Sequence, residues 1–326
     1  MIEGFLTRPT TDIPIRYFTE SAGGVLHHPT NDSEVDRFVS KKWPTFEETK
    51  QKYGWAKHPC AVFGILRGTD TIIKECEKRK HDYYYFDHCY LYAGYKHSNH
   101  PTFRSRMYRI AKNEQSLTTI DLLSKEDNNR VNWYLGKENI SINKWKKDGG
   151  HILVLPPSLF MKRFYNMHVV LQEFGIQKGK KVIRNTTDQQ FEGLNKDKTV
   201  FIDKESNYDN DEFWEKEVVT KLKKYTDREI RVRYKDSKNT FQQDLVGAWA
   251  VVSSQSIGAV DALLAGVPSF CEDTSAALPM SLTDISKIET PIYPDNREEW
   301  MRSLLANQYT LEEIRSGIAY NRLKDK

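Results

Sequence analysis

The stretch from Trp249 to Pro268 constrains this chain more than any other feature: WAVVSSQSIGAVDALLAGVP. Four successive apolar residues, Trp249 to Val252, read as a buried strand. Ser253, Ser254, Gln255 and Ser256 then make a small polar turn. A helix follows at once over residues 257–265, with Val260, Leu263 and Leu264 inward and Gly266 as the C′ residue. Residues 267–271 form the next strand. Upstream, a strand over residues 229–234 and a helix near residues 241–247 give the same rhythm. Strand, helix, strand, helix, strand is the pattern of a parallel sheet with right-handed crossovers, so the chain is α/β.

The rest of the chain extends that rhythm. Strands are expected over residues 13–18, 61–66 and 83–86, and a helix over 71–80 capped by Thr69 or Asp70. Thr45 and Glu48 have capping-box spacing. Residues 120–150 and 187–212 are polar and lack apolar periodicity. Residues 151–155 (HILVL) are a strand closed by Pro156, Pro157 and Ser158, and Phe160, Phe164, Met167 and Leu171 stripe the helix that follows. Phe213, Trp214, Val218, Val219 and Leu222 face one side of a helix that Asp211 would cap. Two last helices, 297–306 and 311–322, open with Asp295 and Glu298 and with Thr310 and Glu313. At roughly 150 residues per domain, 326 residues make two. The boundary is expected at Gly149 and Gly150, giving domains 1–150 and 151–326, with the terminal helix crossing back to the first.

Charge and composition narrow the class. Lys and Arg number 49 against 45 Asp and Glu, which excludes a polybasic tail or an acidic disordered chain. Aromatic residues at 12% argue against disorder as well. No apolar run approaches the roughly 20 residues of a membrane span, and no signal peptide opens the chain. Cys60, Cys76, Cys89 and Cys271 form no C-x-x-C pair and read as reduced thiols of a cytoplasmic protein.

Four groups of residues carry the chemistry. A helix N-terminus presents free N–H groups, and small hydroxyls there let an anion approach, so residues 253–256 read as a phosphate cradle. They read equally as ordinary helix caps. Alternation over residues 230–235 puts Arg231, Arg233 and Lys235 on one sheet face, which calls for an anion or carboxylates. A charge-guarded edge strand would look the same. Between residues 79 and 112, seven basic residues stand against Asp82 and Asp87, interleaved with tyrosines. Arg104, Arg106, Arg109 and Lys112 there are candidates for a nucleic-acid surface, the alternative being a tyrosine-rich strand and a solvated loop. Asp87 and His88 follow a strand directly, where an acceptor hydroxyl would find a general base, Asp87 first and His88 in competition. No metal is expected. His88, Cys89, His97 and His100 match no compact finger spacing, and Asp209 and Asp211 sit in a polar stretch.

The Ser/Gln turn, the helix carrying Asp261-Ala262 and the Gly266-Val267-Pro268 ending resemble the donor half of GT-B glycosyltransferases and of sugar-nucleotide 2-epimerases. Those families carry Glu where this chain has Asp261. The resemblance covers residues 230–300. It implies two Rossmann-like domains facing a cleft, and a UDP-sugar or similar co-substrate held by residues 253–256, Arg231, Arg233, Lys235 and Asp261. The segments 63–68, 85–88, 108–113, 153–158 and 288–294 also resemble glycosyltransferase-like proteins of tailed bacteriophages. That likeness implies transfer of glucose or arabinose to hydroxymethylcytosine in double-stranded DNA. An epimerase, a polysaccharide transferase and a non-enzymatic nucleic-acid-binding protein are the alternatives.

Overall fold

A three-residue strand with neighbours on both sides organises the first half. The computed structural model describes residues 1–7, 9–27, 46–66, 68–91, 107–137, 140–165, 181–182, 200–201, 213–234 and 237–326. In it β1 (Glu3–Phe5) pairs in parallel with β2 (Val25–His27) and with β3 (Cys60–Phe63). β4 (Tyr83–His88) extends the parallel set beside β3. β5 (Met107–Lys112) then lies antiparallel to β4.

The strand expected over residues 13–18 is instead part of a helix, α1 (Pro9–Ser21). Its buried positions are Pro14, Ile15, Phe18 and Thr19, a spacing of three and four that belongs to a helix face. The true first strand is too short to show alternation. Helix α2 (Phe46–Tyr53) begins right after the expected capping-box threonine, which lies outside the described residues. Helix α3 (Thr69–Arg79) begins after Gly68, whose φ of 92° is left-handed. Thr69 does not cap it; its hydroxyl donates to the carbonyls of Gly64 and Leu66, at 2.8 and 2.7 Å.

The polar region 120–150 contains α4 (Lys125–Lys137), which buries only a narrow stripe, Val131 and Tyr134. After it, β6 (His151–Leu155) opens the second sheet as expected, and α5 (Leu159–Phe164) follows. Two short paired strands, β7 (Lys181–Val182) and β8 (Val200–Phe201), stand apart from both sheets. Then come α6 (Phe213–Leu222), β9 (Glu229–Val232), α7 (Phe241–Asp244), β10 (Ala248–Ser253), α8 (Ile257–Leu264) and β11 (Ser269–Cys271). The order is β11-β10-β6-β9, all parallel. Alternation sorts the faces. Ile152, Val154, Ala250, Val252 and Phe270 pack under Trp214 and Leu222 of α6. Leu153, Leu155 and Val251 pack with Ala262 of α8 on the other face. Gly266 closes α8 at φ 82°, and a Cβ there would lie 2.0 Å from the Lys144 carbonyl oxygen, so only glycine fits.

The end of the chain returns to the first sheet, as anticipated. α9 (Arg297–Ala306) leads into β12 (Gln308–Thr310), which pairs antiparallel with β5. The last helical stretch is broken at Gly317, φ 82°, into α10 (Leu311–Arg315) and α11 (Ile318–Leu323). Tyr309, Ile314, Ala319 and Leu323 complete the core around Phe18, Phe86 and Ile110. Thr310 and Glu313 form the expected capping box, whereas Asn296 rather than Asp295 precedes α9 and makes no side-chain cap bond.

Two arginines hold this return. Arg130 of α4 pairs with Glu313, donates to the Ala306 carbonyl at 2.9 Å and lies over the Tyr309 ring. Arg322 pairs with Asp127 at 2.6 Å and donates to the Tyr309 hydroxyl at 2.9 Å. Burial pushes the Glu313 and Asp127 carboxyls up, but their arginines outweigh it and hold both below the usual range. Each folded pKa thus lies below the unfolded one. The stability they add is full above about pH 4 and is lost as pH falls through the folded values. Arg130→Met leaves Glu313 unpaired and should cost about 3 kcal/mol in urea unfolding. Its stability should also fall less between pH 5 and 3 than that of the unmodified protein.

Candidate functional site

In a parallel sheet, the crevice lies where the chain leaves one strand to opposite sides, outside the carboxyl ends. In the second sheet that point is between β6 and β10, since β9 lies on one side of β6 and β10 on the other. In the first sheet it is between β1 and β3.

The carboxyl end of β10 carries the turn 253–256. Ser256 accepts a hydrogen bond from the Gly258 N–H at 3.1 Å and caps α8. Ser254 is fully buried and its Oγ donates to Glu272 Oε2 at 2.7 Å. Gln255 Nε2 donates to Thr274 Oγ1 at 2.5 Å, while its Oε1 is buried with no hydrogen-bond partner among the described residues. The hydroxyls of the expected cradle thus have partners or are buried. Ser254 and Ser256 are engaged within the protein, and Ser253 is only 2% exposed. What the turn offers an anion is the N-terminus of α8.

The alternation of Arg231 and Arg233 is real, and carboxylates answer both. Arg231 is exposed and pairs with Glu229 at 2.7 Å; Arg233 pairs with Asp244 of α7 at 2.6 Å. Lys235 lies outside the described residues. Asp261 is half-buried on α8, one turn beyond the cap.

In the first sheet, Asp87 and His88 end β4. Asp87 accepts from Arg109 Nη2 at 2.7 Å, from the His88 N–H at 2.7 Å and from the Tyr85 hydroxyl at 3.3 Å. Burial raises the Asp87 pKa, but Arg109 and then His88 oppose it, and the net direction is down. Arg109 is itself 7% exposed and lies over the Tyr90 ring. In that placement its charge faces Asp87. Lys112 donates to the carbonyls of Lys324 and Lys326 and pairs with Asp82. Arg104 and Arg106 lie outside the described residues, as do His97, His100, Asp209 and Asp211. Among the described residues, no three His, Cys, Asp or Glu side chains gather to hold a metal ion. Glu20 is exposed on α1 and stands at no strand end.

One piece of chain joins the two crevices. Phe164, at the end of α5, packs into the first body's core with Phe5, Ile65 and Ile72, and Lys74 lies over its ring. The next residue, Tyr165, packs against the same core and lines a cavity with Ser253 and Glu272 of the second sheet. Burial pushes the Tyr165 hydroxyl pKa up, with Arg109 opposing. Behind α5, Lys162 and Glu215 form an ion pair at 2.6 Å, 3% and 5% exposed. Sequence reasoning does not single out Glu272, Thr274 or Tyr165, and it places Trp214 only on a helix face. Glu272 was findable, since it follows β11 as directly as Asp87 sits on β4.

No protein-family model matches the sequence, and neither does any curated protein. Among solved structures, the chain is similar to the KpsC β-Kdo 2,7-transferase of Thermosulfurimonas dismutans (TM-score 0.43, 10% identity, 98% of this chain and 99% of that chain). It is also similar to the KpsC β-Kdo 2,4-transferase of the same organism (TM-score 0.40, 8% identity, 94% and 89%). The UDP-GlcNAc 2-epimerase of Methanocaldococcus jannaschii overlaps at TM-score 0.21, 12% identity and 98% of each chain. At these scores the functional reading rests on the geometry of this chain.

The cap can be separated from the anion site. Ser256→Ala should destabilise the protein by about 1 kcal/mol, whereas Ser256→Asp should keep its stability, because Asp caps a helix and suits its positive end. Thermal unfolding of the two variants checks this.

Proposed function

We propose that the protein is a glycosyltransferase. It holds a nucleotide-sugar donor at the carboxyl edge of the second sheet and an acceptor hydroxyl at that of the first. The observation that carries this reading is the link between the two sheets' carboxyl edges: Phe164 packs among Phe5, Ile65 and Ile72 of the first, and Tyr165, the next residue, lines a cavity with Ser253 and Glu272 of the second. A donor and an acceptor placed on the two sides would meet over one stretch of chain.

The chemistry follows from charge. The acceptor oxygen attacks the anomeric carbon while the bond from that carbon to the donor phosphate oxygen breaks. Negative charge grows on the leaving phosphate, where the N-terminus of α8 meets it. The acceptor proton leaves to the Asp87 and His88 pair. Arg109 keeps Asp87 ionised but lowers its basicity, which favours His88 as the group that takes the proton and Asp87 as its fixed anionic neighbour. Among the described residues, no helix is long and apolar enough to cross a membrane.

Hydroxymethylcytosine in double-stranded DNA is the acceptor proposed first. Its support is the phage-protein resemblance and the basic, tyrosine-rich sequence that includes Arg104 and Arg106. Mass spectrometry of nucleosides from hydroxymethylcytosine DNA, after incubation with a panel of nucleotide sugars, tests it. A glycosylated nucleoside is the expected product. Glycan acceptors in parallel would reveal a polysaccharide transferase, and an epimerised donor without transfer would reveal an epimerase.

Two variants test the site. UDP should raise the melting temperature of the unmodified protein, and Ser256→Asp should abolish that shift while remaining folded. His88→Ala should lower turnover by roughly 10²- to 10⁴-fold with donor binding nearly unchanged, as loss of a general base does. A comparable loss in Asp87→Asn with normal turnover in His88→Ala would give the base role to Asp87.

A further inference from the structure

Glu272 stands just past β11, at the edge where the donor would lie. Its Oε1 accepts from Trp214 Nε1 at 2.8 Å and its Oε2 from Ser254 Oγ at 2.7 Å. A carboxylate oxygen accepts two hydrogen bonds, so among the described residues each oxygen keeps one acceptor position. The two bonds fix the carboxylate at the wall of a cavity of about 690 Å³ between α6 and the ends of β10 and β11. Ser253 lines the same cavity; it is 2% exposed and its Oγ has no hydrogen-bond partner among the described residues. Buried hydroxyls are rarely left so unless something completes them. Trp214, Tyr225 and Phe270 supply aromatic wall; of the charged residues beside Glu272, Lys221 pairs with Glu217 at 2.5 Å, and Lys224 and Asp284 balance in sign.

We propose that this cavity receives the nucleoside part of the donor, with Glu272 accepting hydrogen bonds from the ribose 2′ and 3′ hydroxyls. The inference rests on the donor reading above. A vicinal diol presents two donors side by side, which matches the two open positions of one carboxylate. The base meets aromatic surface, and the phosphates lie toward the start of α8. Asp261, one of the residues expected to hold the co-substrate, does not line this cavity.

Calorimetric titration with CMP, UDP, ADP, GDP and inorganic pyrophosphate tests the proposal. The tightest ribonucleotide is then compared with its 2′,3′-dideoxy analogue. On the unmodified protein the dideoxy form should bind at least tenfold more weakly. Glu272→Gln, which still accepts from Trp214, should weaken the ribonucleotide about tenfold and leave the dideoxy form and pyrophosphate unchanged. Val218→Phe, which narrows the cavity from α6, should weaken every nucleotide and spare pyrophosphate. Ribonucleotide binding with no preference over the dideoxy form would overturn the assignment of Glu272 and leave the donor reading standing. Absence of any nucleotide binding to the unmodified protein would overturn both.

Discussion

The insertion of Phe164 into the core of the other body is the contact on which the rest depends. Parallel sheets put their crevices at carboxyl edges, and two such sheets make one site only if those edges meet. Here the chain leaving β6 buries Phe164 among Phe5, Ile65 and Ile72, residues at or near the carboxyl ends of β1 and β3 and on α3. Burying a phenylalanine is worth roughly 1.5–3 kcal/mol, which is large beside the marginal stability of a domain. It also sets the place of the next residue, Tyr165, which lines a cavity with Ser253 and Glu272 at the second sheet's edge. The return of β12 and α11 to the first sheet closes the same join from the far end of the chain.

Two ion pairs and one carboxylate held by neutral groups lie near this join: Asp87 has Arg109, Lys162 has Glu215, and Glu272 has two neutral donors. An ion pair out of water gains stability only when its geometry offsets the desolvation of both partners, so such pairs mainly fix position. Fixing position is what a transfer site needs, because a donor phosphate and an attacking hydroxyl must be held at set distances. Glu272 differs from the other two. Neutral partners leave its charge available, which suits a group that recognises hydroxyls.

Much of the second sheet was legible because its strands are buried on both faces and its turns use glycine and proline. Residues 151–155 and the 249–268 stretch show this. The first sheet was harder. β1 has three residues, too few for any pattern, and β5 hides a buried arginine inside what reads as a basic surface. Arg109 could not be told from Arg104 by composition, since only the pairing of β4 with β5 places it beside Asp87. The rule that functional groups sit at carboxyl ends pointed to Asp87, His88 and the 253–256 turn as candidates. It did not show that Ser254 already belongs to Glu272, because that bond spans two strands.

Hydrogen exchange with and without a bound nucleoside diphosphate tests most directly whether the second sheet's edge is the donor site. The account predicts slowed exchange at the start of α8, residues 257–259, and at residues 272–274, with the edge strand β2 unchanged. Protection confined to the first sheet by a nucleotide that binds would contradict it.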